Sequence, residues 1–260
     1  MNKSGTQQLH YTNELGQHQI DLVEEVPIAI SVNDLNYAVI LITPVDIEAF
    51  VIGFAHSEGL IEHTNEILDI ETDSGQQEGV PTHITANLKL TGRAQHRSSS
   101  IMRQRKGASG CGLCGIEAIE QSFPCLPPLS PTPTLTDEQW NTAKEQFSNH
   151  QLVGGISGAI HGAMLMDPQG SFLYFAEDIG RHNALDKLIG KALSTSSSLK
   201  GCHILMSSRC STELILKAVR GQVASLGHLA SPSTLAVAQA KQYGLHLIHI
   251  PRRAAPRHYN

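Results

Sequence analysis

The chain has no apolar run approaching the roughly 20 residues that a membrane-spanning helix needs, and its polar opening, Met1-Asn2-Lys3-Ser4-Gly5-Thr6, has no apolar core of the kind a secretory signal carries. It also lacks a basic surplus. A net charge of −5 argues against bulk neutralisation of phosphate, and so against charge-driven binding of nucleic acid. Cysteine is sparse. Five thiols in 260 residues (111, 114, 125, 202 and 210) do not make a disulfide framework. In a reducing compartment a Cys-x-x-Cys pair is instead redox-active, metal-binding or catalytic. These absences predict a cytoplasmic protein with no membrane or nucleic-acid partner. What is present is ordinary for a globular protein: 40% apolar and 17% charged residues, in a length that suits one large core or two smaller domains.

The least ordinary stretch is Ser109-Gly110-Cys111-Gly112-Leu113-Cys114-Gly115. Each glycine costs about 0.5–1 kcal/mol inside a helix or strand relative to alanine, so the segment reads as a loop carrying two thiols. Arg103, Arg105 and Lys106 lie just upstream, and cations folded near a thiol favour the thiolate. The basic clusters 103–106 and 252–257 suit a small polyanion.

Residues 1–18 are polar and read as frayed. Strands are expected at 20–26 and 28–32, interrupted at Pro27, and at 37–42. Thr43-Pro44-Val45-Asp46 has the composition of a helix start, with Thr43 as N-cap and Pro44 in the first turn. That helix is expected to run to about Ser57 and stop at Gly59. A Gly- and Gln-rich loop at 74–79 precedes a strand at 83–90. The basic stretch 93–115 reads as a linker, with a short helix at 117–122, and prolines 124, 127, 128, 131 and 133 mark a stiff connector. A helix at 137–149 capped by Thr136 follows. The second half then alternates: strands at 158–166 and 171–175 joined by the turn Asp167-Pro168-Gln169-Gly170, a helix at 183–193, a strand at 202–206, a helix at 212–220, a strand at 223–230, a helix at 233–243 and a strand at 245–250. Strand–helix alternation with short connections implies right-handed crossovers and a largely parallel sheet. The expected fold class is α/β, divided into a small α+β domain (16–105), a cysteine loop and Pro-rich connector (106–135), and an α/β domain (136–260).

Ligands of such sheets bind at the carboxyl ends of the strands. There the sequence places Ser207-Ser208-Arg209-Cys210-Ser211-Thr212 and Ser231-Pro232-Ser233-Thr234, each running into a helix. Hydroxyls and unpaired N–H groups at helix starts favour an anion, and Arg209 adds a forked donor suited to phosphate or carboxylate. Ser231 and Ser233 are also ordinary helix caps. A third polar cluster, Glu177-Asp178-Ile179-Gly180-Arg181-His182-Asn183, holds more polar groups than capping requires, and Arg181 and His182 are its candidate ligand contacts. His161 is a separate candidate; alone it would be a core histidine. The segment after the last strand, from Ile250 through Arg252 and Arg253, reads as emerging at the same edge or as a solvated basic tail.

Several chemistries fail on missing residues. A zinc deaminase needs His-x-Glu and Pro-Cys-x-x-Cys. Here His161-Gly162-Ala163 lacks the acid, and Pro124-Cys125 is followed by Leu-Pro-Pro. A structural zinc site needs four ligands, of which Cys111 and Cys114 supply two. A thioredoxin-type pair belongs at a helix start in a strand–helix–strand context, not between glycines in a basic linker. A thiolate on a loop remains, attacking sulfane sulfur by the rules of disulfide exchange. Two other readings stay open, a cofactor-binding chaperone without chemistry of its own and a zinc-stabilised scaffold.

Cys111-Gly112-Leu113-Cys114-Gly115 and the stretch Glu177-Asp178-Ile179-Gly180-Arg181-His182-Asn183-Ala184-Leu185-Asp186-Lys187-Leu188-Ile189-Gly190 resemble the signatures of the formate dehydrogenase accessory sulfurtransferases. The resemblance extends to Ser157-Gly158 with His161, to Ser208-Arg209 with Ser211 and Glu213, to Ser231-Pro232-Ser233-Thr234-Leu235-Ala236, and to Thr43-Pro44-Val45-Asp46 with Gly53-Phe54 and Ser57-Glu58-Gly59. It covers residues 20–259. It implies a cytoplasmic homodimer that takes sulfur from a cysteine desulfurase and passes it to the molybdenum bis(guanine dinucleotide) cofactor of formate dehydrogenase. By the same resemblance Cys111 carries the persulfide, Cys114 is its partner, and the second half has a deaminase-like three-layer fold without zinc. The cofactor is then held by Ile250, Pro251, Arg252, Arg253, Ala254 and Ala255, with Arg209, His182, Arg181 and Ser231. The family's usual aromatic and glycines are missing from 250–255, where only the arginine character is kept.

Overall fold

The computed structural model describes residues 5–77, 80–107, 126–195 and 197–259. Cys111, Cys114, Cys125 and the helix expected at 117–122 lie outside the described residues.

The first departure from the sequence reading is at the start. Residues expected to be frayed form a hairpin of β1 (Thr6–Asn13) and β2 (Gly16–Val23), antiparallel from Thr6 opposite Val23 to Asn13 opposite Gly16. Leu9 pairs with Ile20 and Gln7 with Leu22, so alternate residues put the apolar side chains on one face. Those side chains are each more than two-fifths exposed, which is why the polar composition hid the strands.

A second sheet has the order β4-β3-β6-β5, with β3 (Val26–Val32), β4 (Leu35–Ile42), β5 (Ile67–Gln77) and β6 (Val80–Leu90). β3 runs parallel to β6 and the other neighbours are antiparallel. Pro27 lies inside β3, opposite Leu41, rather than breaking it. Val26, Ile28, Ile30 and Val32 are buried against α1 (Ile47–Ser57) and the first turns of α2 (Gly92–Gly107). Two expectations change here. β5 was not foreseen, because its polar residues hide the alternation, and the basic stretch read as a linker from residue 93 is helical to Gly107.

The third sheet has the order β12-β11-β10-β9-β7-β8. It comprises β7 (His161–Met166), β8 (Phe172–Asp178), β9 (His203–Met206), β10 (Ser225–His228), β11 (His246–His249) and β12 (Arg257–Tyr259). β9, β10 and β11 are parallel, whereas β7 is antiparallel to both β8 and β9, and β12 is antiparallel to β11. The sheet is therefore mixed rather than largely parallel. α3 (Asp137–His150) covers one face, burying Trp140 and Phe147 against Met164, Met166, Leu205 and Ile248. Its start is as expected: Thr136 Oγ1 accepts from Gln139 N, and Gln139 Oε1 accepts from Thr136 N. A single turn, α4 (Gly154–Ser157), leads into β7. The other face packs on α5 (Arg181–Ser194), α6 (Thr212–Arg220) and α7 (Thr234–Tyr243).

α1 crosses α5 at two glycines. A Cβ on Gly53 would overlap the Asp186 carbonyl, and one on Gly190 would overlap the Ala49 carbonyl, so the backbones approach as closely as only glycine allows. No described helix is long and apolar enough to cross a membrane.

Candidate functional site at the carboxyl edge of the mixed sheet

Because β7 is antiparallel to both neighbours, β8 points the same way as β9, β10 and β11. Four strand ends thus meet at one edge: Asp178, Met206, His228 and His249, with His161 at the start of β7 opposite Asp178. From these ends the chain turns into α5, α6 and α7, so three helix N-termini face the same edge. The opposite edge differs. Its groove is lined by His56, His63, Lys200, Arg220 and Gln222, and α1, α5 and α6 end beside it. The carbonyl ends of helices disfavour an anion. The helix dipoles point to the carboxyl edge.

Most of the acidic cluster beginning at Glu177 turns inward. The Glu177 carboxylate accepts from Val153 N and Gly154 N, both at 2.8 Å. Asp178 is fully buried, and its Oδ2 lies 2.7 Å from Lys187 Nζ, itself wholly buried. The same oxygen accepts from Thr43 N at 3.0 Å, while Oδ1 accepts from Gly180 N and Asn183 Nδ2. Lys187 also donates to the Thr43 carbonyl at 2.8 Å. Burial lowers the Lys187 pKa, and Asp178 opposes that shift. Asp186, the residue before Lys187, forms a second buried pair with Lys217 at 2.7 Å.

This network explains a failed expectation. Thr43 does not cap α1, whose N-cap is Asp46 in the left-handed region (φ 54). Instead, Thr43 is buried and presents N–H, carbonyl and hydroxyl to Asp178, Lys187 and Ile179 N. Asn183 Nδ2 adds a bond to the Leu41 carbonyl. The segment after β4 is thereby fastened to the end of β8, locking the second sheet against the third.

Arg181 and His182, the ligand candidates of that cluster, do stay at the edge, each half-buried. His182 Nε2 lies 2.7 Å from Glu213 Oε2 and 3.3 Å from Ser211 Oγ. Burial holds its pKa below the ordinary histidine value; Glu213 raises it, while Arg181, Lys217 and His161 lower it. His161 is also held low by burial and by Arg181, against a smaller pull from Asp178. The structure therefore brings His161, Arg181 and His182 into one electrostatic cluster. Arg209 and Ser231 are exposed on the loops after β9 and β10. Ser233 Oγ caps α7 by accepting from Ala236 N.

The segment after β11 divides into two parts. Ile250 is completely buried in the core under α3, and its N–H donates to the His228 carbonyl at 2.8 Å. Pro251 is half-buried, and Arg252, Arg253, Ala254 and Ala255 are exposed.

A family model described as FdhD/NarQ matches residues 23–260 of this chain. The chain belongs to the FdhD/NarQ family. Among similar proteins, the sulfur carrier protein FdhD of Burkholderia mallei is 35% identical over 234 residues, spanning 89% of this chain and 85% of that protein. The protein of the same name from Variovorax paradoxus is 35% identical over 223 residues, spanning 86% of this chain and 78% of that one. A crystal structure of a Desulfotalea psychrophila protein assigned as a formate dehydrogenase accessory protein superposes with a TM-score of 0.70, covering 98% of this chain and 96% of that one at 22% identity. That last likeness shows the fold.

In this FdhD/NarQ chain the two described cysteines make poor nucleophiles. Cys210 is buried, and desolvation pushes its thiol up to about 12. Burial also raises the Cys202 pKa, and its Sγ donates to the Ser198 carbonyl. Sequence reading did not anticipate Lys144, which reaches across from α3 to the carbonyls of Pro251 and Arg252 at 3.0 and 3.4 Å and anchors the basic segment. No local signal marks a contact 107 residues away. Among the described residues no group of three or more His, Cys, Asp or Glu side chains is arranged to hold a metal ion.

Proposed function

We propose that the chain is a sulfur carrier that accepts sulfur from a cysteine desulfurase on Cys111 and delivers it to the molybdenum bis(molybdopterin guanine dinucleotide) cofactor destined for formate dehydrogenase. The observation that carries this reading is the roughly 35% identity, over most of the chain, to proteins named sulfur carrier protein FdhD. Both thiols of Cys111-Gly112-Leu113-Cys114 fall inside the 23–260 family match, and the two described cysteines are chemically muted by burial.

In the loading step the Cys111 thiolate attacks the outer sulfur of the desulfurase persulfide. The donor S–S bond breaks, its electron pair leaves with the desulfurase thiolate, and a persulfide forms on Cys111. In the release step the Cys114 thiolate attacks the Cys111 sulfur, closing a Cys111–Cys114 disulfide and expelling hydrosulfide toward the acceptor; a cellular dithiol then reduces the disulfide. The anionic dinucleotide is substrate here. Its phosphates meet the helix N-termini of the carboxyl edge together with Arg181, His182, Arg209, Arg252 and Arg253, while Ser231 and the backbone of 250–255 line its path. The order β12-β11-β10-β9-β7-β8, with α3 on one face and α5–α7 on the other, supports the deaminase-like three-layer reading of this unit. Cytoplasmic residence and a homodimeric state belong to the same proposal.

The test is complementation in cells lacking their own carrier. Cys111→Ala is expected to abolish formate dehydrogenase activity, and Cys202→Ala to retain it. Full activity with Cys111→Ala would favour a chaperone that binds the cofactor without carrying sulfur.

A further inference from the structure

Glu213, at the carboxyl edge, has no part in the anion site described above. His182 opens α5 and Glu213 lies in the first turn of α6; the two helices follow different strands, yet His182 Nε2 sits 2.7 Å from Glu213 Oε2, with Ser211 Oγ at 3.3 Å. The Glu213 side chain is 69% exposed. A surface ion pair of this kind adds at most about 1 kcal/mol to stability, so fastening α5 to α6 is a weak explanation when the buried Asp186–Lys217 pair already does so. The His182 contacts to Glu213 and Ser211 both run through Nε2. A carboxylate gripping one ring nitrogen fixes the tautomer and favours a second proton on the other, which equips an imidazole to hold and release a proton, here below the ordinary histidine value because burial outweighs Glu213.

The charged surroundings are specific. Arg181 approaches from the same helix, His161 from the start of β7 and Lys217 from the next turn of α6, and all three oppose a charge on His182; Glu213 is the group that favours it. Asp178, from the end of β8, acts on His161. We propose that His182 and Glu213 form a proton-holding couple that sets the charge of the carboxyl edge, with Glu213 as the positioning residue and His182 as the group that meets a phosphate-bearing ligand. This rests on the reading that the anionic cofactor binds at this edge. It makes ligand capture pH-dependent: a protonated His182 attracts the anion, and its release of the proton loosens the hold.

Histidine-selective NMR on the full chain tests the couple, with inorganic pyrophosphate as the ligand probe. Glu213→Gln is expected to lower the His182 pKa by about half to one unit, Glu213→Asp to restore most of it, and the pH midpoint of pyrophosphate affinity to follow. A His182 titration unmoved by Glu213→Gln would overturn the proposal, and so would an affinity midpoint that stays put while the titration moves. Failure of pyrophosphate to bind at any pH would overturn the couple's role in capture. It would leave sulfur loading on Cys111 intact, because that step needs no anion at this edge.

Discussion

His228 ends β10 fully buried, its Nδ1 2.9 Å from the Ser208 carbonyl, and burial pushes its pKa down to about 4. The folded chain therefore refuses a proton that the unfolded chain accepts once the pH falls below the ordinary histidine value. Stability from this group is fully present above about pH 6.5 and declines as the pH drops toward 4, by up to roughly 3 kcal/mol. His56, also held down to about 4 by burial and by Arg220, acts in the same direction over the same window. Urea melts across that range are expected to show falling stability, with a shallower pH slope in His228→Gln; an unchanged slope would show that His228 is not the group responsible. Residue chemistry was partly legible in sequence. Arg181 and His182 were singled out as ligand-facing and stand at the edge. The acids beside them were indistinguishable until the fold showed Asp178 and Glu177 spent on backbone N–H groups and Lys187.

Elements were legible where one strong local signal decided them. The Thr136 cap with Gln139 and the apolar spacing of Trp140, Ala143 and Phe147 mark α3, and Thr212–Arg220 follows from its helical pattern. They were obscured where burial is one-sided or tertiary bonds override local preference. β1 and β2 carry few apolar residues, and Thr43, a good cap by composition, gives its hydrogen-bonding groups to the end of β8. The α1–α5 crossing is a similar case, since Gly53 and Gly190 read as mild helix-weakeners in sequence but are required by the contact. Gly190→Ala is expected to cost about 2–3 kcal/mol, because its Cβ meets a backbone carbonyl that has no rotamer with which to yield. Gly155→Ala, whose Cβ meets nothing within 4 Å, is the control. Equal melting temperatures for the two variants would contradict the close-approach account.

At the scale of the whole molecule, two sheets with separate cores are joined by that crossing and by the buried Asp178–Lys187 pair with its bonds to Thr43. Breaking a buried pair from one side leaves an uncompensated charge, so Lys187→Met is expected to destabilise by about 3–5 kcal/mol and the double change with Asp178→Asn by less. Urea unfolding of the two variants checks the order; a double variant no better than the single would place the cost elsewhere. The alternation of strands and helices in the second half was read from sequence, and with it the edge where the ligand candidates gather. The direction of β7 was not, since periodicity carries no information about which neighbour a strand pairs with. The joint between the sheets was equally hidden, because its bonds span more than 130 residues. The sulfur-bearing residue proposed for this FdhD/NarQ chain is Cys111. Its most direct test is intact-mass analysis with peptide mapping after incubation with a cysteine desulfurase and cysteine. A one-sulfur adduct is expected on the Cys111 peptide, absent from Cys111→Ala and present in Cys202→Ala and Cys210→Ala. A chain that stays unmodified, or that carries its sulfur on Cys202 or Cys210, would contradict it.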